Sequence, residues 1–230
     1  MRSEWLPVSA AALVTGVMAL ILGQMLNPGG SESSPAGQML VAAEYPGRWL
    51  AMSVLFFGGA AALVLGMPAV MSLFQKPRGR GLGITGVTVF TIGCVGVGAL
   101  AGLMLMFRAL ALETLATEGT PTARDINLVT ASLDEPGLAI SLGVWVYGFM
   151  AGVLLIALGL FRAKQVPTWV PGLLTGFLVM QVVVPLAGEG TTGARIASAV
   201  GLILLAGGFT GIATNATSER QQAPITQSLA

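Results

Sequence analysis

Six apolar runs of about 20 residues or more dominate this chain, at residues 6–26, 47–73, 82–107, 137–161, 167–186 and 194–212. Roughly 20 apolar residues in a helix cross the ~30 Å hydrocarbon layer of a bilayer. None of the six carries an ionisable residue near its midpoint. The expected fold is therefore all-α, a polytopic integral membrane protein with six transmembrane helices. Composition points the same way. Only 9% of the 230 residues are charged and 54% are hydrophobic, against about 25% charged in soluble domains. So few charges leave too little polar surface for a water-soluble molecule of this size.

Histidine is absent. That excludes histidine-ligated haem and zinc, serine–histidine hydrolysis and histidine proton relays. The single cysteine, Cys94, lies in an apolar run and permits no intrachain disulfide. No nucleophile–base pair or metal-ligand set is visible. The chain reads as a non-enzyme with no catalytic residues, no metal and no cofactor. A net charge of +1 gives no reason to expect a nucleic-acid partner.

Loop charges set the expected topology. The N-terminus, the 74–81 loop, the 162–166 loop and the tail hold Arg2, Lys76, Arg78, Arg80, Arg162, Lys164 and Arg220. The opposite side holds Arg48, Arg108, Arg124 and Arg195, with eight of the ten acids. The positive side marks the cytoplasm, so both termini are expected there. The first run is read as a retained helix, because Gln24-Met25-Leu26-Asn27-Pro28 follows it rather than a small-residue cleavage site. Residues 214–230 read as a disordered cytoplasmic tail. Trp5, Trp49 and Trp169 lie near span ends as interfacial anchors, and Trp145 sits deeper, as packing.

Two shorter segments also carry apolar faces. Ser34-Pro35 resembles a helix start, with Met39, Leu40 and Ala43 placed on one face of an interfacial helix. Between the third and fourth spans, Ile126, Val129 and Leu133 form a narrow stripe.

A shift of 90 residues overlays the second and third spans on the fourth and fifth. Pro46-Gly47 falls on Pro136-Gly137, Gly58 on Gly148, and Thr85-Gly86 on Thr175-Gly176. Glu44 and Asp134 each stand two residues before that Pro-Gly, where an acid meets the positive end of a helix. This suggests a parallel two-hairpin repeat, with Gly58 and Gly148 letting a neighbouring backbone approach. Pro68 is expected to kink the second span. Pairs such as Gly98/Gly102, Gly148/Gly152, Gly172/Gly176 and Gly207/Gly211 stand one turn apart, a spacing that favours close helix packing.

The candidate site lies at the non-cytoplasmic ends of the spans. Arg48, Arg108, Glu113, Glu189 and Arg195 come from the second, third, fifth and sixth spans or their ends. If those ends converge, three guanidiniums and two carboxylates ring an outward-facing pocket, suited to carboxylate or phosphate groups. The opposing interpretation is ordinary snorkelling and ion pairing at the interface. Glu189 sits in Gly188-Glu189-Gly190-Thr191-Thr192-Gly193, read as a plain connecting turn.

Leu26-Asn27-Pro28-Gly29-Gly30 after the first span and Tyr45-Pro46-Gly47-Arg48-Trp49 opening the second resemble uncharacterised small multi-spanning membrane proteins of actinobacterial type. That resemblance implies no particular activity, and nothing functional carries over from it. Two functional expectations follow. One is a non-enzymatic accessory or interaction subunit, whose partners are the lipid bilayer and a membrane protein or a second copy. The alternative is a small transporter or a lipid- or anion-binding protein using the charged pocket.

Overall fold

A computed structural model describes residues 5–28, 35–75, 77–118, 127, 130–131, 135–188 and 191–227. Lys76, Asp134, Glu189, the Ile126/Val129/Leu133 stripe and residues 228–230 lie outside the described residues.

Among the described residues there are seven helices and no strands. They are α1 (Leu6–Leu26), α2 (Pro35–Glu44), α3 (Pro46–Ser72), α4 (Arg80–Glu118), α5 (Pro136–Ala163), α6 (Trp169–Leu186) and α7 (Thr192–Gln227). All but α2 are long and apolar enough to cross a membrane. The protein is thus an all-α, multi-pass membrane protein with six candidate spans. Span starts and ends fall within a few residues of the apolar runs, with two exceptions. Helix α4 continues past Phe107 to Glu118, and α7 continues past Ile212 to Gln227. In α7 the first polar residues of the extension fold back on the helix. Thr214, Thr217 and Ser218 donate their hydroxyls to carbonyls three or four residues earlier.

The six spans form a ring in chain order. The closest pairs are α1/α3, α4/α5 and α6/α7; contacts of α3 with α4, α5 with α6, and α7 with α1 close it. We call "upper" the end where α1, α4 and α6 finish and α3, α5 and α7 begin.

Glycines spaced by seven residues make the close pairs possible. Gly16 and Gly23 on α1 face α3, and Gly59 and Gly66 on α3 face α1. Gly86 and Gly93 on α4 face α5, and Gly152 and Gly159 on α5 face α4. Seven residues are nearly two turns, so each pair keeps to one face. A Cβ at Gly93 would stand 2.4 Å from the Phe149 nitrogen, and one at Gly152 would stand 2.5 Å from the Phe90 Cα. The two backbones touch where any side chain would hold them apart.

This corrects part of the glycine reading. Gly58 is exposed and a Cβ there meets nothing within 4 Å; its neighbour Gly59 makes the contact. Gly148 does pack: a Cβ there would stand 3.3 Å from the Gly93 backbone. Gly102 and Gly172 also face open space. Moreover, the second and third spans are joined less closely than the third and fourth.

The lower half of the ring is filled by phenylalanines. Phe90 of α4 lies 4.6 Å from Phe149 of α5 and 5.5 Å from Phe209 of α7 (ring centroids). Phe149 in turn meets Phe177 of α6 edge-on at 6.2 Å. Such pairs add about 0.5–1.5 kcal/mol each beyond their buried area.

Pro68 stays inside a continuous α3, and Ser9 of α1 explains how. Proline removes one N–H and its ring pushes against the preceding turn. The Ser9 hydroxyl accepts a hydrogen bond from the Ala69 N–H at 2.9 Å. Its oxygen also lies 3.0 Å from the Gly66 carbonyl and 3.1 Å from that of Leu65, to which it donates. It thus bridges the N–H and carbonyl groups around the proline.

A second, smaller core sits at the upper end. Met39 and Ala42 of α2 pack with Trp49 and Met52 of α3 and with Phe107 and Ala111 of α4. Helix α2 therefore turns Met39 and Ala42 inward and leaves Leu40 exposed, rather than presenting Met39, Leu40 and Ala43 together. Trp49 is buried here too, and its indole N–H donates to the Met104 carbonyl at 2.7 Å. It ties α3 to α4 instead of anchoring at the interface, whereas Trp5 and Trp169 are exposed.

Candidate functional site

Arg48 starts α3 and Arg195 starts α7, and both line one cleft of about 560 Å³ at the upper end. Gln24 and Asn27 at the end of α1 and Ser198 of α7 complete its polar lining. Apolar side chains, including Ile21 and Leu202, form the rest. The cleft exists because α1 and α7 meet where the ring closes. Asn27 caps α1, its N–H bonded to the Gln24 carbonyl. On α7, Thr191 Oγ1 accepts the Ala194 N–H at 3.2 Å, after the turn at Gly188 (φ +86°).

Arg48 also has an aromatic neighbour. Its guanidinium lies 5.8 Å from the centre of the Tyr45 ring, a cation–π distance. Tyr45 stands outside the spans. The Tyr45 phenol donates a hydrogen bond to Glu44, whose negative charge also stands beside it, and both raise the tyrosine above its ordinary value of 10. Arg48 works against that shift.

The other charges of the expected ring are arranged differently. Arg108 is half-buried, and its Nε donates to the Pro46 carbonyl at 2.9 Å. It fastens α4 to the start of α3 and does not line the cleft. Glu113 lies farther along α4, exposed, and makes an interaction of its own. Glu189 lies outside the described residues. The structure thus brings together two of the five residues, Arg48 and Arg195.

Below the cleft lies a second cavity of about 250 Å³, inside the ring. All six spans contribute to it. Phe56, Trp145, Phe149 and Phe177 dominate its wall, with Gln181 as a polar group. Gln24, Asn27, Ser198 and Leu202 line both spaces. The sequence reading passed over Gln24, Gln181 and Ser198. The available signal was their polarity inside apolar runs; Gln181 is flanked by Leu178-Val179-Met180 and Val182-Val183-Val184.

No family model, curated protein or solved structure matches this chain. Its chemistry therefore has to be argued from the cleft itself. Among the described residues no three His, Cys, Asp or Glu side chains come together as a metal site. The arrangement offers two guanidiniums, two amides and a hydroxyl around one cleft, beside a largely apolar chamber. Guanidiniums present a fork of donors to an oxyanion, and the amides and hydroxyl add neutral donors.

Proposed function

We propose that this protein binds an oxyanion, either free or carried by a lipid headgroup, in the Arg48–Arg195 cleft. The supporting observation is that two arginines 147 positions apart line one cleft, with no carboxylate among its described lining residues. The function is binding or passage rather than catalysis. We place the protein in a bacterial cytoplasmic membrane with both termini in the cytoplasm, on the strength of the loop charges.

Retention of phosphate by the protein in phosphatidylcholine nanodiscs, followed by equilibrium dialysis, tests the anion reading. Arg48→Gln and Arg195→Gln should each weaken retention by about tenfold, consistent with loss of a charged hydrogen bond. Arg108→Gln should leave it within about twofold, because that guanidinium is committed to Pro46. Unchanged retention in the Arg48/Arg195 double variant would sink the reading.

Topology is tested by labelling from each side. Cysteines at exposed Leu40 and exposed Arg78 should react from opposite faces of the membrane, with buried Cys94 as a silent background. Labelling of both from one face would overturn the orientation. Gly79 is unsuited to such a probe, since its φ is +81° and a Cβ would stand 2.5 Å from the Gly159 carbonyl.

An accessory role remains the second reading. It is favoured by the 39-residue α4, which at 1.5 Å per residue is about 58 Å long, nearly twice the hydrocarbon thickness. With α2 it builds a knob on the upper end. A protein that co-purifies stoichiometrically and protects exposed Leu40 from labelling would support this role.

A further inference from the structure

The cleft and the chamber adjoin, with Gln24, Asn27, Ser198 and Leu202 lining both, and they differ in charge. The upper space carries both guanidiniums. The lower one is walled by aromatic and aliphatic groups and floored by the Phe149–Phe177 pair. Building on the anion reading above, we infer that the ligand is a single-chain anionic amphiphile. Its oxyanion sits between Arg48 and Arg195, and its hydrocarbon chain descends past Ser198 and Leu202 into the chamber.

Three observations carry this. First, both guanidiniums line the cleft and no charged residue is among the described lining of the adjoining chamber, as suits a molecule with one charged end. Second, the chamber has the volume of a short chain. At roughly 30 Å³ per methylene, about the share of a liquid water molecule, 250 Å³ holds some eight carbons. Third, the bundle is loosest beside the chamber. Helix α5 buries no side chain above Phe149, and α6 buries none above Phe177. Trp145, Met150 and Gln181, all half-buried, stand at that seam and line the chamber. A chain longer than the chamber passes out there into the surrounding lipid, so the occupant need not be short.

The experiment is photolabelling of the full chain in phosphatidylcholine nanodiscs. The probe is a lysophosphatidic acid analogue with a diazirine near the end of its chain. Label should appear at Trp145 or Met150. It should fall at least tenfold in the Arg48→Gln/Arg195→Gln variant and in Leu100→Trp, which fills the chamber. Leu100→Trp should still retain inorganic phosphate. Should that variant fail to fold, Met150→Phe fills the same space and label is read at Trp145. Label confined to bilayer-facing residues such as Val54 or Val95, with phosphate retention intact, would overturn this inference and leave the anion reading standing. Chamber label that ignores the arginines would overturn it as well, because one molecule would not then occupy both spaces. Loss of arginine-dependent retention for both probes would remove the two readings together.

Discussion

Gly152→Leu is expected to abolish recovery of folded protein, whereas Gly172→Leu, one helix away, should be recovered like the parent. A Cβ at Gly152 would stand 2.5 Å from both the nitrogen and Cα of Phe90, which are backbone atoms with no rotamer to change. Helices α4 and α5 would have to separate along the pair that packs most extensively. Separation would also pull Phe90 away from Phe149, and with it the aromatic filling of the ring. Forcing extra carbons into a packed core costs about 1–3 kcal/mol and sometimes more. Leucine adds four carbons at a backbone contact, so a loss above about 4 kcal/mol is expected, which is exceptional for one substitution. At Gly172 a Cβ meets nothing within 4 Å, so the same substitution there should stay within about 0.5 kcal/mol. Size-exclusion chromatography in mild detergent, followed by thermal unfolding, separates the two. Equal yields would show that α4 and α5 are not held by this contact.

Ser9→Ala should cost about 1–3 kcal/mol, the penalty for leaving a buried donor without a partner. The orphan would be the Ala69 N–H, which now meets the Ser9 hydroxyl. The decisive comparison is a cycle with Pro68→Ala. Once residue 68 regains its N–H and loses the ring, α3 closes its own ladder and no longer needs the hydroxyl. In that background Ser9→Ala should cost less than about 0.5 kcal/mol. A coupling energy near zero would mean that Ser9 does not compensate for the proline.

The extent to which the fold was readable follows from what apolar periodicity encodes. Length and hydrophobicity are intrinsic to each run, so the six spans were legible within a few residues at most ends. The continuation of α4 beyond the membrane was legible over Ala109 to Leu115, and the helix runs on to Glu118; its partner was not, since Ala111 is buried only once α2 folds over it. Choice of face was the weaker inference. Gly58 and Gly59 are adjacent and lie about 100° apart around the helix, and nothing local says which one meets α1. The 90-residue match favoured Gly58, while the seven-residue spacing from Gly59 to Gly66 marks the packed side. Trp49 misled for a similar reason: a tryptophan near a span end suits the interface equally well until a carbonyl, here that of Met104, is found for its N–H.

At the site, charge was legible and direction was not. Arg48, Arg108 and Arg195 all fall near upper helix ends, but only the fold shows that Arg108 turns to Pro46. The chamber was not foreseen, because its walls come from six separate helices and most of its residues resemble any other apolar side chain. Gln181 was the exception.

The order of the close pairs has a consequence for how the molecule is made. Helices α1/α3, α4/α5 and α6/α7 are each neighbouring spans along the chain, so each pair can dock as soon as its second member enters the membrane during synthesis. The ring itself stays open until α7 reaches α1. Arg48 has by then waited through four further spans for Arg195 to arrive, and the cleft they share is the last part of the protein to be assembled. A truncated or stalled chain would contain correctly paired helices and still have no site.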